Sequence, residues 1–308
     1  MAKLVAITGA TGFVGPHLVA ALARHGWKTR LLIRRWSPLP PLGGVDAEIV
    51  WGDLGDEQAL RRLVEGADAV IHAAGLIKAR RSSEFWTVNR DGTARLAALA
   101  PGLPFVLLSS LAAREPQLSP YAASKQAAEQ AVARRSGPWL AVRAPAVYGP
   151  GDRETLAYFR AAARGVAPRP WLAEARLSLI HVGDLAEALA LVVDRPPPAG
   201  LYEVDDGHEG GYGYADMAAA AASALGRRAR SAPIPRSAMM AIAGLNSLRH
   251  SLGGSAQILT PAKVGEMFHP DWTLHDRRLA PAVGFVARHD LADGFRDTVL
   301  WYRRHGWL

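Results

Sequence analysis

The sequence predicts an α/β fold, a doubly wound parallel sheet followed by a smaller, mostly helical C-terminal lobe. Three observations predict it. Apolar runs of roughly six residues alternate with Ala- and Arg-rich helical patterns through the first half of the chain. A glycine-rich turn, "TGATGFVG" (8–15), joins the first run to the first helix. After "VYGPGD" (147–152) the alternation gives way to a Pro-rich link and to Ala- and Met-containing helices.

Taken in order, the expected strands are "KLVAITG" (3–9), "KTRLLIR" (28–34), "AEIVWG" (47–52), "DAVIHAA" (68–74), "PFVLLSS" (104–110) and "PWLAVRA" (138–144). Helical patterns near 13–25, 56–65, 84–99 and 120–136 separate them. Short buried runs parted by helices indicate βαβ units, and right-handed crossovers then cover both faces of the sheet. "RLSLIHV" (176–182) leads into a helix at 183–194, and "LYEVDD" (201–206) follows the "RPPPAG" link. Further helices are expected at 215–226 and about 236–249. A nucleotide-binding domain of the Rossmann type thus covers 1–150 with 176–206, and a substrate lobe covers 151–175 with 207–308. Such a lobe belongs at the carboxyl ends of the strands, where these sheets bind ligands.

The 308 residues are 49% hydrophobic and 21% charged, enough for a real core. The chain has no cysteine, which excludes disulfides and thiolate chemistry and makes a reducing cytoplasm the expected home. The opening "MAKLVAITGATGFVG" reads as a first strand rather than a leader. No window approaches ~20 uninterrupted apolar residues, so no membrane-spanning helix is expected. Net charge is +8, and 31 of the 36 basic residues are Arg. They are spread along the chain without interleaved aromatics, which speaks against nucleic acid. A phosphate-bearing cofactor or an anionic membrane surface accounts for the sign.

Gly9, Gly12 and Gly15, with Thr11, Phe13 and Val14 among them, lie between a strand and a helix. Glycines there let the backbone approach a pyrophosphate held by helix N-terminal amides, so a dinucleotide is expected. At the end of the second strand a carboxylate would favour a free ribose 2′-hydroxyl. Arg34 and Arg35 stand there instead, and guanidinium groups suit a 2′-phosphate. NADP(H) is therefore the expected cofactor, with NAD(H) as the alternative.

"SPYAASK" (119–125) places Tyr121 and Lys125 four apart, on one helix face. A nearby ammonium is expected to draw the phenol pKa from ~10 towards neutrality, fitting it to exchange a proton with a carbonyl or alcohol oxygen. "LLSS" supplies Ser109 and Ser110 as hydroxyl partners for that oxygen.

With "GDLGD" (52–56), "VIHAAG" (70–75), "VNRDGT" (88–93), "RAPAVYGPGD" (143–152) and "LIHVGDLAEAL" (179–189), these motifs run in order through two thirds of the chain. The sequence resembles the extended short-chain dehydrogenase/reductase family, the NAD(P)-dependent epimerase/dehydratase group. The resemblance implies Tyr121 as proton donor, Lys125 as its electrostatic partner and Ser110, or else Ser109, as ligand of the carbonyl oxygen. It implies Asp53 and Leu54 at the adenine and Ala73, Ala74 and Gly75 along the cofactor. Leu76, Leu111 and Tyr148 are then candidate substrate contacts, and Asn89 steadies the central helix. Asp53 reads equally well as a helix cap. Asn89, Arg143, His181 and Asp184 read better as structural residues than as chemistry. The histidines of "HPDWTLH" (269–275) lack a metal-binding frame, and no metal is expected.

Departures from the family pattern narrow the reaction. Ser110-Leu111-Ala112 stands where dehydratase-like members usually carry Thr-Asp-Glu, and the stretch after "YGPG" lacks the Asn typical of sugar-nucleotide members. "IPRSAMMAIAGLNSLRHSLGG" (234–254) sets Met239, Met240, Ile242, Leu245 and Leu248 beside Arg236, Arg249 and His250. This is a core helix of the lobe, or else the wall of an apolar tunnel or a face for anionic lipid. The tail "WYRRHGWL" pairs tryptophans with arginines in the manner of interfacial segments. The expectation is an NADPH-dependent reductase of a lipid-like ketone, met at the inner face of a membrane. The chain looks like the bacterial branch that includes reductases of 3-oxo-sphingolipids of the ceramide type. A sugar-nucleotide epimerase or reductase is the alternative, and a cofactor-bound assembly subunit a third reading. Small residues along the central helices suit a homodimer face as well as packing within a monomer.

Overall fold

The computed structural model describes residues 3–251 and 260–308, with the backbone alone at 247–251. β1 (Leu4–Thr8), α1 (Gly15–Arg24), β2 (Lys28–Ile33), β3 (Ala47–Trp51), α2 (Glu57–Val64) and β4 (Ala69–His72) open the chain. α3 (Ser82–Phe85), a π-helical turn (Trp86–Asp91) and α4 (Gly92–Leu99) lead to β5 (Phe105–Ser110). Two short 3₁₀ turns precede α5 (Pro120–Ala133), β6 (Trp139–Ala144), β7 (Ala146–Tyr148), α6 (Leu156–Ala163), β8 (Val166–Pro170) and β9 (Arg176–Leu177). β10 (Leu179–His181), α7 (Val182–Asp194), β11 (Gly200–Glu203), α8 (Tyr214–Leu225), β12 (Arg230–Ile234) and α9 (Arg236–Ser251) follow. α10 (Pro261–Met267), β13 (Asp271–Trp272), α11 (Leu279–Val283) and α12 (Leu291–Arg304) complete the order.

Seven strands form one parallel sheet in the order β11-β6-β5-β4-β1-β2-β3. The reversal of strand order beside β1 opens a crevice at the strand ends, the usual ligand position in such sheets. Strand alternation serves both faces. Val5, Ile7, Leu31 and Ile33 pack with α1 and α7, whereas Ala6, Leu32, Phe105 and Leu107 pack with α2, α4 and α5. Burial on both sides explains why these strands read as continuous apolar runs, each fully buried Leu or Ile contributing about 2 kcal/mol.

Helix starts follow local chemistry. Asp56 caps α2 by accepting from the Ala59 amide, and Ser119 caps α5 by accepting from Ala122, with Pro120 at the first helical position. The single helix expected over 84–99 is instead three pieces, because the π turn widens the backbone at Trp86–Asp91.

α6, α8 and α12 share a separate apolar core around Tyr148, Phe159, Leu225, Phe295 and Tyr302. The C-terminal tail belongs to it. Trp307 lies flat against Tyr302 at 5.7 Å, and Trp301 stacks on His305 at 3.8 Å. Half-buried in this way, the two tryptophans are packing residues, which corrects the interfacial reading of "WYRRHGWL".

Candidate functional site

The glycine loop forms a cradle that side chains would fill. Gly9 has φ +83°, and a Cβ there would stand 2.6 Å from the Ala73 carbonyl carbon and the Ala74 nitrogen. At Gly15 it would meet the Ala10 carbonyl oxygen at 2.3 Å. α1 starts at Gly15 with no side-chain cap and no acidic residue in its first turn. Its N-terminal amides and positive dipole end suit a pyrophosphate, so the residues present fit a dinucleotide. Thr11 and Gly12 are exposed in the cradle; Phe13 and Val14 are half-buried and turn towards the protein.

At the end of β5 the two serines part company. Ser109 is buried and donates to Glu129 Oε1 at 2.5 Å. Ser110, one residue on and facing the other way, lies beside the Tyr121 phenol and draws its pKa down. The alternation thus chooses between the two candidates in favour of Ser110. Tyr121 sits in the first turn of α5 because Ser119 and Pro120 fix where the helix begins. Phe85 lies edge-on to its ring at 6.0 Å.

Lys125 follows one turn later, buried, with Nζ donating to the Leu108 carbonyl at 2.7 Å. A Cβ on Gly75 would lie 3.9 Å from that nitrogen, so the Ala73–Leu76 loop passes directly over it. Burial pulls Lys125 down to about 8. Burial also pushes Tyr121 up to about 12, opposed by the Ser110 hydroxyl and helped by the Glu266 charge. The expected lowering of the phenol towards neutrality is not met in this geometry, because burial dominates its ionisation. A phenol held this high stays protonated at neutral pH, the state of a proton donor.

Polar residues under the site are paired throughout. Burial holds His72 neutral, down to about 3. Its Nδ1 lies 2.6 Å from Thr8 Oγ1 and its Nε2 2.9 Å from Thr93 Oγ1. Thr93 donates onward to the Asn89 carbonyl, and Thr8 Oγ1 accepts from the Ala74 amide at 3.3 Å. One direction satisfies the whole chain: Thr8 donates to Nδ1, and Nε2–H donates to Thr93. Asn89 clamps the backbone of Leu76 from both sides, accepting its N–H at 2.7 Å and donating to its carbonyl at 3.0 Å. The same amide donates to Ser124, which donates to the Tyr121 carbonyl. β1, the β4 loop and α5 are thereby tied into one frame. The place of Asn89 follows the family resemblance, whereas the His72, Thr8 and Thr93 chain is not legible in the sequence because its partners lie 64 and 21 residues apart.

Arg143 is structural as expected. It grips Glu129 with two bonds of 2.9 Å and reaches Asp276 at 2.9 Å, joining β6 and α5 to the segment after β13. Glu266 of α10 hydrogen-bonds Ser119, the cap of the Tyr121 helix. Arg34 and Arg35 are exposed at the end of β2, with the Arg34 guanidinium 5.8 Å above the Trp36 ring. Asp53 does not cap a helix; its Oδ1 accepts from the Gly55 amide at 2.7 Å, and Leu54 packs against Gly92.

Two expected substrate contacts are not at a surface. Tyr148 is 1% exposed, wedged between His181 and Phe295 with its hydroxyl bonded to the Asp290 carbonyl. This corrects its assignment: α12, remote in sequence, covers it. Leu111 is likewise buried, pointing into the protein from the 3₁₀ turn after Ser110, while Leu76 is half-buried. His181, Asp184 and His289 gather closely enough to suggest a metal. The Asp184 carboxylate, however, already accepts from the Arg288 and His289 amides and from His289 Nδ1, and the two imidazole rings lie 4.0 Å apart, tilted by 32°. That arrangement joins α7 to the turn before α12. His275 and His269 pair with single carboxylates, Asp271 and Glu115.

The pattern of the NAD dependent epimerase/dehydratase family matches residues 5–204. The chain belongs to this family. It is an enzyme of the extended short-chain dehydrogenase/reductase type. It is 44% identical to a ceramide reductase of Caulobacter vibrioides, over 99% of this chain and 96% of that protein. It is 29% identical to a 4-hydroxy-2-methyl-3-oxo-4-farnesyl-3,4-dihydroquinoline-1-oxide ketoreductase of Stigmatella aurantiaca, over 65% of this chain and 67% of the relative. Among solved structures it superposes on MoeE5 in complex with UDP-glucuronic acid and NAD, with TM-score 0.73, 25% identity and coverage of 98% and 99% of the two chains.

Proposed function

We propose that this enzyme reduces a ketone on a lipid-like substrate, of the 3-oxo-sphingolipid or ceramide class, using NADPH. The observation that carries the reading is the set formed by Ser110 at the end of β5, the Tyr121 phenol beside it and Lys125 one turn along the same helix. When bound, the cofactor supplies the hydride that reaches the carbonyl carbon. Tyr121, protonated at neutral pH, gives its proton to the carbonyl oxygen, and Ser110 holds that oxygen by a hydrogen bond. Lys125 stabilises the phenolate left behind and is re-anchored by the Leu108 carbonyl. Gly9, Gly12 and Gly15 hold the pyrophosphate, and Ala73, Ala74 and Gly75 line the nicotinamide half. Asp53 and Leu54 meet the adenine, and Arg34 with Arg35 takes the 2′-phosphate, which favours NADP(H) over NAD(H).

The lipid-like substrate is supported by full-length likeness to a ceramide reductase and by the second, farnesylated-ketone relative. Ser110-Leu111-Ala112 adds no carboxylate beside Tyr121, which suits simple reduction better than elimination. The sugar-nucleotide alternative would use a cleft of about 550 Å³ lined by Arg169, Arg176, Tyr214 and Ser231, and the likeness to MoeE5 with UDP-glucuronic acid also serves it. Glu174 and Asp216 line the same cleft and oppose a diphosphate. An assembly subunit without turnover has no need of the Ser-Tyr-Lys geometry.

The test is oxidation of NADPH by the purified enzyme with an N-acyl-3-oxo-sphinganine and, separately, with sugar nucleotides. Turnover of the keto-lipid, lost in Tyr121→Phe, is expected. Turnover of sugar nucleotides alone would overturn the reading.

A further inference from the structure

α9 is turned inside out for a helix at a water surface. Its buried side is narrow: Met239 and Ala243 pack on Val264, with Ile234, Met267 and Phe268 at the margin. Its open side carries Ala238, Met240, Ala241, Ile242, Gly244 and Leu245, with Ile242 46% and Leu245 62% exposed. Between Arg236 and Arg249 there is no charged residue at all. A helix packed on a globular core ordinarily shows water a polar face. Leu248, Arg249 and His250, expected to continue this pattern, lie outside the described residues as side chains.

A second apolar anchor stands beside it. β8 and β12 pair in parallel with Pro170 opposite Ile234, and the Trp171 amide donates to the Ile234 carbonyl at 2.9 Å. Trp171, 65% exposed, therefore sits at the start of α9. Around this pair, Arg164, Arg227, Arg228, Arg230 and Arg236 are exposed. Glu174 and Asp216 share a cleft with Arg169 and Ser231 of the ribbon, but along the chain the charge is one-sided over a long stretch. From Met217 to Gly265 the chain carries five arginines and one lysine without a single carboxylate, and residues 155–173 add three arginines on the same terms.

We propose that the outer face of α9, with Trp171 and the arginines of the β8–β12 ribbon, docks on an anionic phospholipid bilayer. The apolar side chains enter the headgroup–acyl boundary while the guanidinium groups meet lipid phosphates. Apolar insertion and basic charge together give the two signals that stable peripheral binding requires. Charge selects the bilayer over a second copy of this chain, since a self-paired face would set arginines against arginines. No helix among the described residues is long and apolar enough to cross a membrane, so the contact is peripheral. The docking stands apart from the substrate reading, because it is measured without turnover.

The experiment is flotation of the full chain with vesicles of phosphatidylcholine alone and of phosphatidylcholine with phosphatidylglycerol in equal parts. Binding to the anionic vesicles only, weakened by salt, is expected. Ile242→Ser with Leu245→Ser should lower the partition on the order of tenfold. Arg228→Gln and Arg230→Gln should each lower it about fivefold. The salt series on the unaltered chain keeps the test valid if a variant misfolds. Failure to float with anionic vesicles, or equal binding to neutral ones, would overturn the proposal. So would a concentration-dependent dimer that the Ile242 and Leu245 changes dissolve while vesicle binding persists.

Discussion

α5 and α9 depart from the ordinary amphipathic helix in opposite directions. α5 buries Ser124, Lys125 and Glu129 and gives each a partner: Asn89 and the Tyr121 carbonyl, the Leu108 carbonyl, and Arg143 with Ser109. α9 shows water its Met240, Ile242 and Leu245. Inside, polar groups are worth keeping only where hydrogen bonds compensate their desolvation, and in α5 that frame holds Tyr121 in place. Outside, apolar side chains left partly in water contribute less to the fold than buried ones. On the readings proposed above, α5 would carry the chemistry and α9 would face the bilayer.

If that separation is right, substitutions on α5 should be severe and those on α9 nearly silent. Tyr121→Phe should lower keto-lipid reduction by roughly 10³-fold or more while NADPH affinity, read by fluorescence titration, stays within about threefold. Glu129→Ala leaves the Arg143 guanidinium buried without its bidentate partner, and denaturant unfolding should show a loss of about 3 kcal/mol. The pH profile sharpens the same comparison. Lys125, lowered to about 8, is charged below that pH and neutral above it, whereas Tyr121, raised to about 12, stays protonated throughout. Reduction should therefore hold level through neutrality and fall with an apparent pKa of about 8. Arg34→Ala should weaken NADPH about tenfold and leave NADH unchanged, as read by isothermal titration. Smallest of all, Leu245→Ser should move stability by no more than about 0.5 kcal/mol and leave turnover of a short water-soluble ketone intact.

Much of the fold was legible because its signals are local. Six apolar runs, a glycine turn and Ser119-Pro120 ahead of Tyr121 each act within a few residues, and the structure places them as read. The sequence favours Ser110 over Ser109, and strand alternation then sets Ser109 on Glu129 and turns Ser110 to the Tyr121 side. What failed depends on long-range packing. Tyr148 looked open because α12, which covers it, is more than 140 residues away. Trp301 and Trp307 looked interfacial because the core they pack against, Phe159 of α6 and Leu225 of α8 among it, is more than 70 residues away in sequence. The phenol looked acidic because spacing brings Lys125 near Tyr121, while the burial that raises it depends on elements remote in sequence.

The most direct measurement is single-turnover oxidation of NADPH by the enzyme mixed with an N-acyl-3-oxo-sphinganine in detergent, comparing wild type with Tyr121→Phe. Rapid loss of NADPH absorbance in the wild type, with the hydroxyl product formed in equal amount and neither seen in the variant, is the predicted result. Equal rates in the two proteins would contradict the assignment of Tyr121 as the proton donor, and inertness of both towards the keto-lipid would contradict the substrate.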